Sequence, residues 1–257
     1  MKNLKKNLKA VFIASLIVLF SACNDDKDDD KSGAGTSKET TAEFDNSNFG
    51  LYKGIIVGSS GTVKIEINNG NNVAKATIKI DGNTDNLTCS VPLTSGQKVT
   101  NAEFTGNFSS FSFSVDANGS NPVVSNININ GHDDVGMAVL KEKSFNIAYC
   151  YEGISTGGNN HRGVFNVVCT SSEFSGIIKG DDGFTAGLYG SIDANGNYAG
   201  SSTTTFYPLD DHIPIDVMVT YKGRFVGDNL EGTWETSWNV FSESFKNSGT
   251  ATGRKTL

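Results

Sequence analysis

Two of the three histidines stand beside paired aspartates, and these are the groupings in the chain that could bind a metal ion. They read His132-Asp133-Asp134 and Asp210-Asp211-His212. Imidazole nitrogens and carboxylate oxygens together can hold a divalent cation. Both groups fall between predicted strands, and the chain has no CxxC and no histidine pair with the spacing of a helical zinc site. We therefore interpret them as solvated loop residues and predict no metal ion and no cofactor.

Signatures of catalysis are also missing from the sequence. No nucleophile elbow, P-loop or G-x-G-x-x-G after a strand is found. A glycosidase needs two converging carboxylates, but the 28 acidic residues give no basis for choosing a pair. Asp116-x-Asn118-Gly and Asp193-x-Asn195-Gly are similar to the start of a calcium loop but lack its bidentate glutamate. A type I turn with a glycine bulge explains both, and we predict no catalytic residue.

Three cysteines lie within the predicted strands. Cys150 and Cys169 flank Gly157-Gly158-Asn159-Asn160. A two-residue turn at Asn159-Asn160 makes these cysteines direct cross-strand neighbours, within reach of a disulfide. A turn centred one residue earlier keeps them on one face but places them diagonally. We predict a Cys150–Cys169 disulfide with Cys89 free; three buried free thiols are the alternative.

Trp234 and Trp238 are the candidate ligand-binding residues, because indole rings stack on sugars. They share one face of an alternating segment. Large aromatic side chains on such a face are more often core residues than exposed platforms, and we favour that interpretation.

Alternation of period two dominates the chain from Phe44 onward and predicts strands. Val63, Ile65 and Ile67 share a face, and Asn69-Gly70 then supplies the positive φ angles that a tight hairpin needs. Further alternating sets share the same pattern: Ala74, Ala76, Ile78 and Ile80; Leu87, Cys89, Val91 and Leu93; Phe111, Phe113 and Val115; Phe145, Ile147, Tyr149 and Tyr151; Phe165, Val167 and Cys169; Ile215, Val217, Val219 and Tyr221.

The strand pattern predicts an all-β fold of about 14 to 16 strands, arranged as an antiparallel meander that forms a β-barrel or β-sandwich. Residues 44–257 form this all-β part. Weak echoes, such as the Asp-Ala-Asn-Gly turns at 116–119 and 193–196, indicate a diverged duplication with halves 44–144 and 145–257. A single continuous meander is the alternative.

The segment Tyr221-Lys-Gly-Arg-Phe-Val-Gly-Asp-Asn-Leu-Glu-Gly-Thr-Trp234, with Gly249-Thr-Ala-Thr-Gly-Arg254 after it, places glycines among aromatic residues. It resembles the hairpins of lipocalin-like and avidin-like meander barrels. The resemblance implies an architecture of coiled strands, in which glycine lets strands approach closely and tryptophan fills the volume.

The N-terminus carries export signals. Residues 1–9 contain four lysines, residues 10–20 are apolar except Ser15, and Phe20-Ser21-Ala22-Cys23 follows. An apolar run this short is typical of a signal peptide. Small residues before a cysteine resemble the lipobox of bacterial lipoproteins, although Phe20 replaces the usual leucine. The resemblance implies a signal peptide at 1–22 and a diacylglyceryl and acyl (palmitate-type) anchor on Cys23.

An acidic run, Asp25-Asp26-Lys27-Asp28-Asp29-Asp30, follows the cysteine. It resembles the export tag of surface-exposed lipoproteins of Gram-negative bacteria, which implies an outer-membrane protein on the cell surface. A solvated spacer on a periplasm-facing protein is the alternative. In both cases residues 23–43 form a flexible tether. The sequence pI of 5.0 makes nucleic acid an unsuitable partner, and only the lipid should hold the body at the membrane.

Together these features predict a surface-displayed lipoprotein with a non-catalytic β module that binds an extracellular glycan or protein. One alternative is a barrel that binds a small apolar ligand in a cavity lined by Trp234, Trp238, Phe111 and Phe113. The other is an envelope hydrolase, which needs a cleft where acids and a histidine meet.

Overall fold

The computed structural model describes residues 39–257, except 70–72, 159–160, 182, 207–213 and 241–242. The described chain is all-β, with sixteen antiparallel strands and one short 3-10 turn at Ala42–Phe44. This confirms the predicted antiparallel meander and barrel. The helices that a membrane span would need are absent from the described residues. The signal peptide, Cys23 and the acidic run lie outside that part of the chain.

The first eight strands form one sheet in the order β7-β6-β5-β4-β3-β2-β1-β8, which we call the N-terminal sheet. Its strands are β1 Gly50–Val57, β2 Gly61–Ile67, β3 Lys75–Ile80, β4 Asn83–Cys89, β5 Val99–Thr105, β6 Ser109–Val115, β7 Val123–Ile129 and β8 Gly136–Glu142.

The last eight strands form a closed barrel in which each strand pairs with its sequence neighbours and β9 pairs with both β10 and β16. We call it the C-terminal barrel. Its strands are β9 Tyr149–Gly157, β10 Arg162–Cys169, β11 Glu173–Gly180, β12 Thr185–Ile192, β13 Asn197–Phe206, β14 Ile215–Val226, β15 Asn229–Val240 and β16 Glu243–Lys255. The boundary between sheet and barrel falls at 143–148. A meander barrel is also one of the architectures that the strand pattern predicted for the chain.

Each half encloses a separate apolar core, because the alternating residues of its strands point inward. The N-terminal core gathers aliphatic side chains around Phe104, Phe111 and Phe113. The C-terminal core is richer in aromatic residues and includes Tyr198 and Trp234. The predicted inward sets are confirmed in both halves, with three exceptions. Val91 and Phe145 are exposed, and Ile147 is only partly buried and lies outside the three described clusters, since all three residues lie in connections between strands.

Strand β1 joins the two halves, because it is buried on both faces. Ile55 and Val57 point away from the N-terminal core and pack with Ala138, Cys150 and Val168 in a third apolar cluster. An ion pair between Lys53 Nζ and Glu142 Oε2, at 2.7 Å, lies beside this cluster and is also buried. The two halves therefore meet through an apolar junction that includes one buried ion pair.

Residues 45–49, which precede β1 and which we call the plug, bond to the turn between β6 and β7. Asn48 in the segment before β1 donates its N–H to Ala117 O in the β6–β7 turn. Beneath the plug Lys141 is only 7% exposed, and its Nζ donates to Phe49 O and lies 4.7 Å from the centre of the Tyr52 ring. Burial lowers the pKa of Lys141 to about 8.

The predicted Cys150–Cys169 disulfide is wrong. In the β9–β10 ladder Cys150 pairs with Val168, and Cys169 pairs with Tyr149, one residue away from the predicted register. Gly157 N–H donates to His161 O, so the connection holds three residues and not two. A shift of one residue sends a side chain to the opposite face. Cys169 therefore lies inside the barrel and Cys150 lies in the junction, and both thiols are free.

Candidate functional site

A groove opens where the N-terminal sheet meets the C-terminal barrel. It has a volume of about 400 Å³, and we call it the polar groove. The turn between β1 and β2 supplies one wall, and strands β9, β10 and β11 supply the other. Its lining residues are Gly58, Ser59, Ser60, Glu152, Gly153, Val164, Asn166, Lys179, Gly180 and Asp181. Junctions between structural units are frequent locations of ligand sites.

The floor of the polar groove is a break in the β9–β10 ladder. Pairing skips from Ile154–Val164 to Tyr151–Val167. The Asn166 side chain fills the gap: its Oδ1 accepts from Gly153 N–H at 3.1 Å, and its Nδ2 donates to Ile56 O at 3.0 Å. One buried amide therefore ties β1 to both barrel strands and holds the floor rigid.

A second depression of about 330 Å³ continues the polar groove across β16 and β15. The two share Glu152 and Gly153. Gly153 pairs with Gly253 on the neighbouring strand, so exposed backbone forms the floor there. The remaining lining residues are Ile154, Asn229, Leu230, Glu231, Thr252 and Arg254. The resulting concavity is elongated and crosses several strands.

Charges of both signs line the combined groove, with acids in excess. Glu152 accepts a hydrogen bond from Ser60 Oγ across the junction. Lys179 is engaged at one edge, where its Nζ lies 2.6 Å from Asp134 Oδ2. Asp181 and Glu231 add negative charge, which Arg254 only partly balances. The groove is therefore built to accept hydrogen bonds from a polar or cationic ligand, and it disfavours an anion.

Two exposed apolar side chains interrupt this polar lining. Ile154 and Val164 are direct cross-strand partners, and Ile154 is 60% exposed. They form a small apolar step beside the carboxylate of Glu152. Polar groups around a small apolar surface match the two faces of a sugar ring, which carries hydroxyls at its edge and C–H groups on its face.

A serine, an aspartate and a histidine meet near this groove, but in an order that does not fit nucleophilic catalysis. Asp81 Oδ1 and Oδ2 each lie 2.8 Å from Ser59 Oγ, and His132 Nε2 lies 3.6 Å from Asp81 Oδ2. The carboxylate stands between the hydroxyl and the imidazole. In a hydrolytic triad the imidazole stands between them and takes the hydroxyl proton. This cluster ties loops together and does not support the hydrolase alternative.

The predicted metal-binding groups are not assembled in the described part of the chain. His132 contacts Asp81, and Asp134 contacts Lys179, so that histidine cluster is divided between two partners. No group of three or more histidine, cysteine or acidic side chains there could hold a metal ion. Asp210, Asp211 and His212 lie outside the described residues.

The calcium-like segments are turns, as expected from their sequence. Gly119 and Gly196 have φ angles of +83° and +78°, the left-handed geometry that favours glycine. In each turn the aspartate N–H donates to the carbonyl oxygen four residues ahead. The aspartate C=O accepts from the N–H three residues ahead. The Asp193 carboxylate accepts from the Asn197 side chain and from the N–H groups of Asn195 and Asn197, which lowers its pKa.

The tryptophans lie away from the polar groove. Trp234 is 3% exposed inside the barrel, where its ring meets His161 edge-to-face at 4.8 Å. Trp238 is half-buried and stacks on Phe245. Trp234 is therefore a core residue and not a surface platform. Phe111 and Phe113 are likewise packed against other rings, so these residues do not support an apolar-ligand cavity.

The residues of the polar groove were not identified from the sequence. Glu152, Lys179 and Asp181 look like ordinary charges on alternating strands, and only folding brings the β1–β2 turn over them. The available signal was the glycine pattern, because Gly153, Gly163, Gly180 and Gly253 interrupt four strands at neighbouring positions.

Two further depressions exist. One, of about 680 Å³, lies on the outer face of β13–β16, and the other, of about 350 Å³, has an apolar lining near β7 and β12.

Comparison of the chain with protein-family models, with curated proteins and with solved structures finds no match in any of the three.

Proposed function

We propose that this protein is a lipoprotein of the outer membrane, displayed on the cell surface through an acylated Cys23, whose two-part β body binds an extracellular glycan in the polar groove. The elongated polar groove over Glu152 and Gly153 is the observation that carries the proposal. The body acts by binding alone, without a catalytic residue or a cofactor.

The sequence supports the anchored part of this proposal. Basic residues, an apolar run and the small residues before Cys23 are arranged in the order of a lipoprotein signal. From Cys23 to Glu39, the first described residue, sixteen peptide bonds reach at most about 55 Å at roughly 3.4 Å per residue. Such a tether gives the body freedom to meet ligands beyond the membrane surface.

The shape and chemistry of the groove favour a glycan over a protein partner. Protein interfaces bury broad surfaces with aromatic anchors. The polar groove is instead a small concavity of about 400 Å³, and hydroxyls and carboxylates lie around one apolar step at Ile154 and Val164. Because acids outnumber cations there, neutral or amino sugars fit better than sulfated or uronic sugars.

One set of variants tests both parts. The Cys23→Ser full chain should appear in the soluble fraction, since only the lipid anchors it, and it then serves as a soluble binder on a glycan array. Adding Glu152→Ala should weaken binding about tenfold, or about 1.4 kcal/mol, because it removes one ionic hydrogen-bond acceptor. Glu103→Ala is the matched control, because Glu103 is an exposed acid on β5 of the N-terminal sheet.

The membrane fractionation and the glycan array test the two parts of the proposal independently. Membrane retention of Cys23→Ser would refute the lipid anchor, whatever the array shows. A silent array, or equal binding by the Glu152 and Glu103 variants, would refute the groove as the glycan site. Preferential binding of sulfated glycans would contradict the charge argument.

A further inference from the structure

An apolar depression lies where the open edge of the N-terminal sheet meets the C-terminal barrel. We call it the edge depression. Its volume of about 350 Å³ is within the range of small-molecule sites. Strands β7 and β8 supply one side, and β11 and β12 supply the other. Thirteen residues line it, and none of them carries a charge. It therefore differs from the polar groove, which is lined by carboxylates and cations.

The edge depression lies beside strands that have a free edge. In the described sheet β7 pairs only with β6, and β8 pairs only with β1. Three successive residues of β8, Met137, Ala138 and Val139, line the depression together. Met137 and Val139 belong to the N-terminal core, whereas Ala138 belongs to the junction cluster. The free edge of β8 thus presents apolar side chains from both of its faces.

The edge depression combines exposed apolar side chains with open space. Val123 is 53% exposed, and Tyr189 is 59% exposed. A Cβ added at Gly187 would meet no heavy atom within 4 Å, so there is room over the middle of β12. Exposed apolar surface gathered in one concavity is typical of a ligand-binding or interaction site.

Volume and lining together define the class of ligand. About 350 Å³ is room for roughly twelve groups the size of a water molecule. A CH₂ group is about as large as water, so most of one fatty acyl chain fits. A charged ligand would lose its hydration there without gaining a counter-charge. The depression therefore favours a linear apolar chain.

The tether joins the body close to the edge depression. Glu39 Oε1 lies 3.7 Å from Lys53 Nζ. Lys53 pairs with Leu140, which lies on the same face of β8 as Ala138, two residues away. One strand spacing, two residues along β8 and the two side chains give roughly 20 Å from Glu39 to the depression. A flexible chain of the sixteen residues between Cys23 and Glu39 averages about 22 Å end to end.

We propose that the edge depression binds one acyl chain of the lipid on Cys23 of the same molecule when the protein is away from a membrane. This inference rests on the lipid anchor of the proposed function and is independent of the polar groove. Because the average length of the tether matches the distance, the acyl chain has an effective concentration on the order of millimolar at the depression. The tether therefore favours the molecule's own lipid over a dilute free fatty acid.

A bilayer should displace the acyl chain from the edge depression. The bilayer buries every CH₂ of all acyl chains of the anchor, whereas the depression has room for one chain. Docking therefore belongs to the protein in water. There the acyl chain covers Val123 and Tyr189, and these side chains cover part of the acyl chain.

Hydrogen exchange, read by mass spectrometry, tests the docking on the lipidated full-length protein in detergent-free buffer. The comparison is full-length Cys23→Ser, which lacks the lipid. Backbone N–H groups on the free edges of β7 and β8 have no partner in a described strand, so cover by an acyl chain should slow their exchange. We expect about tenfold slower exchange in peptides covering 122–129 and 136–142, and none in β14. Transfer of the lipidated protein to phosphatidylcholine vesicles should restore the fast exchange.

Two variants of the lipidated protein locate the protection. Gly187→Phe should abolish it, because the new ring takes up the room over β12 while its Cβ meets no neighbouring atom. Ser201→Phe is the matched control, since Ser201 is exposed on β13 and does not line the depression. Protection that survives in Gly187→Phe, or that disappears equally in both variants, would refute docking in the edge depression.

A soluble fatty acid tests the chemistry of the depression without the anchor. Sodium decanoate should protect β7 and β8 of the Cys23→Ser protein at millimolar concentration. No protection by decanoate would refute an acyl-chain site. Protection of the lipidated protein that grows with protein concentration would assign the depression to a neighbouring molecule and not to the molecule's own lipid.

The intact mass separates this inference from the proposed function. A lipid on Cys23 with equal exchange in the lipidated and Cys23→Ser proteins would refute the docking and leave the anchor standing. Absence of a lipid from the mature protein would refute the anchor and the docking together.

Discussion

The N-terminal sheet and the C-terminal barrel use the same number of strands in nearly the same meander order, yet only one closes. The sheet ends at β7 and β8, which do not form a ladder with each other. The barrel closes through β16 and β9, whose ladder runs from Gly249–Gly157 to Lys255–Tyr151. Its last three strands have 12 or 13 residues, whereas the described strands of the sheet have 6 to 8. Closure therefore accompanies long strands.

Glycine pairs explain how the longer strands curl. The barrel contains cross-strand pairs such as Gly157–Gly249 and Gly223–Gly232, whereas none occurs in the described ladders of the sheet. Trp234 covers the first pair, and Tyr198 covers the second. Without side chains the backbones can bend sharply, and the aromatic rings fill the space above them. The sheet fills its core with aliphatic side chains around Tyr52, Phe104, Phe111 and Phe113, without glycine pairs in its described ladders, and it stays open.

Replacement of Gly249 should produce the largest loss of stability. A Cβ at this position would overlap Thr156 O and would lie 2.7 Å from both Gly157 Cα and Trp234 Cζ2. Two of these neighbours are backbone atoms, so the barrel wall itself must shift. We expect Gly249→Ala to lower the free energy of unfolding by about 3 kcal/mol, at the upper end of overpacking effects. Chemical denaturation of Gly249→Ala and the wild type measures this loss.

Gly187→Ala is the control, because no heavy atom lies within 4 Å of the Cβ that it would add on β12. This variant should change the free energy of unfolding by less than ~0.5 kcal/mol. Equal losses in the two variants would mean that glycine contributes chain flexibility and not close packing, and the explanation of closure would then be wrong.

The second contrast concerns charge inside the two halves. The N-terminal sheet buries Lys141 against Phe49 O and the Tyr52 ring. The buried polar side chains of the C-terminal barrel, within the described residues, are all uncharged. A buried cation without a carboxylate in hydrogen-bond contact costs stability that a neutral amine does not.

This contrast predicts that raising the pH stabilises the N-terminal sheet. Burial lowers the pKa of Lys141 from 10.5 to about 8, so between these values the unfolded chain binds more protons and stability rises with pH. Relative to Lys141→Met, the wild type should gain about 2 kcal/mol between pH 7 and pH 9.5, at ~1.4 kcal/mol per pKa unit. Urea denaturation at a series of pH values measures the difference.

Lys222→Met provides the comparison in the barrel, because Lys222 is exposed on β14. Its stability difference from the wild type should stay constant over the same pH range. A flat difference for Lys141→Met as well would show that water reaches the amine beneath the plug.

The sequence predicted the strands well because alternation is local, and sixteen described strands agree with an expected 14 to 16. It failed where distant segments meet. Lys53 and Glu142 form a buried pair, and Ser60 reaches Glu152, but no periodicity links residues so far apart. The same limit hid the polar groove, because its walls come from segments that lie far apart in the sequence.

Turn length was the other source of error. One additional residue between β9 and β10 moved Cys150 out of the barrel and into the junction between the two halves. Glycine and asparagine mark a turn reliably, but a run of four such residues does not specify whether two or three of them form the loop.

The smallest expected effect concerns the cysteines that this error separates. Cys169 lies in the barrel core and Cys150 in the junction, so a reducing agent should change the free energy of unfolding by less than ~0.5 kcal/mol. A bridge would contribute about 3 kcal/mol.

Burial raises the pKa of both thiols, which keeps them protonated and unreactive in the folded protein. Half-buried Cys89 should therefore react first with iodoacetamide, as read by mass spectrometry. A reduction-sensitive melting temperature, or faster alkylation of Cys150 than of Cys89, would show that β9 and β10 pair in the register predicted from the sequence or that the junction between the halves opens.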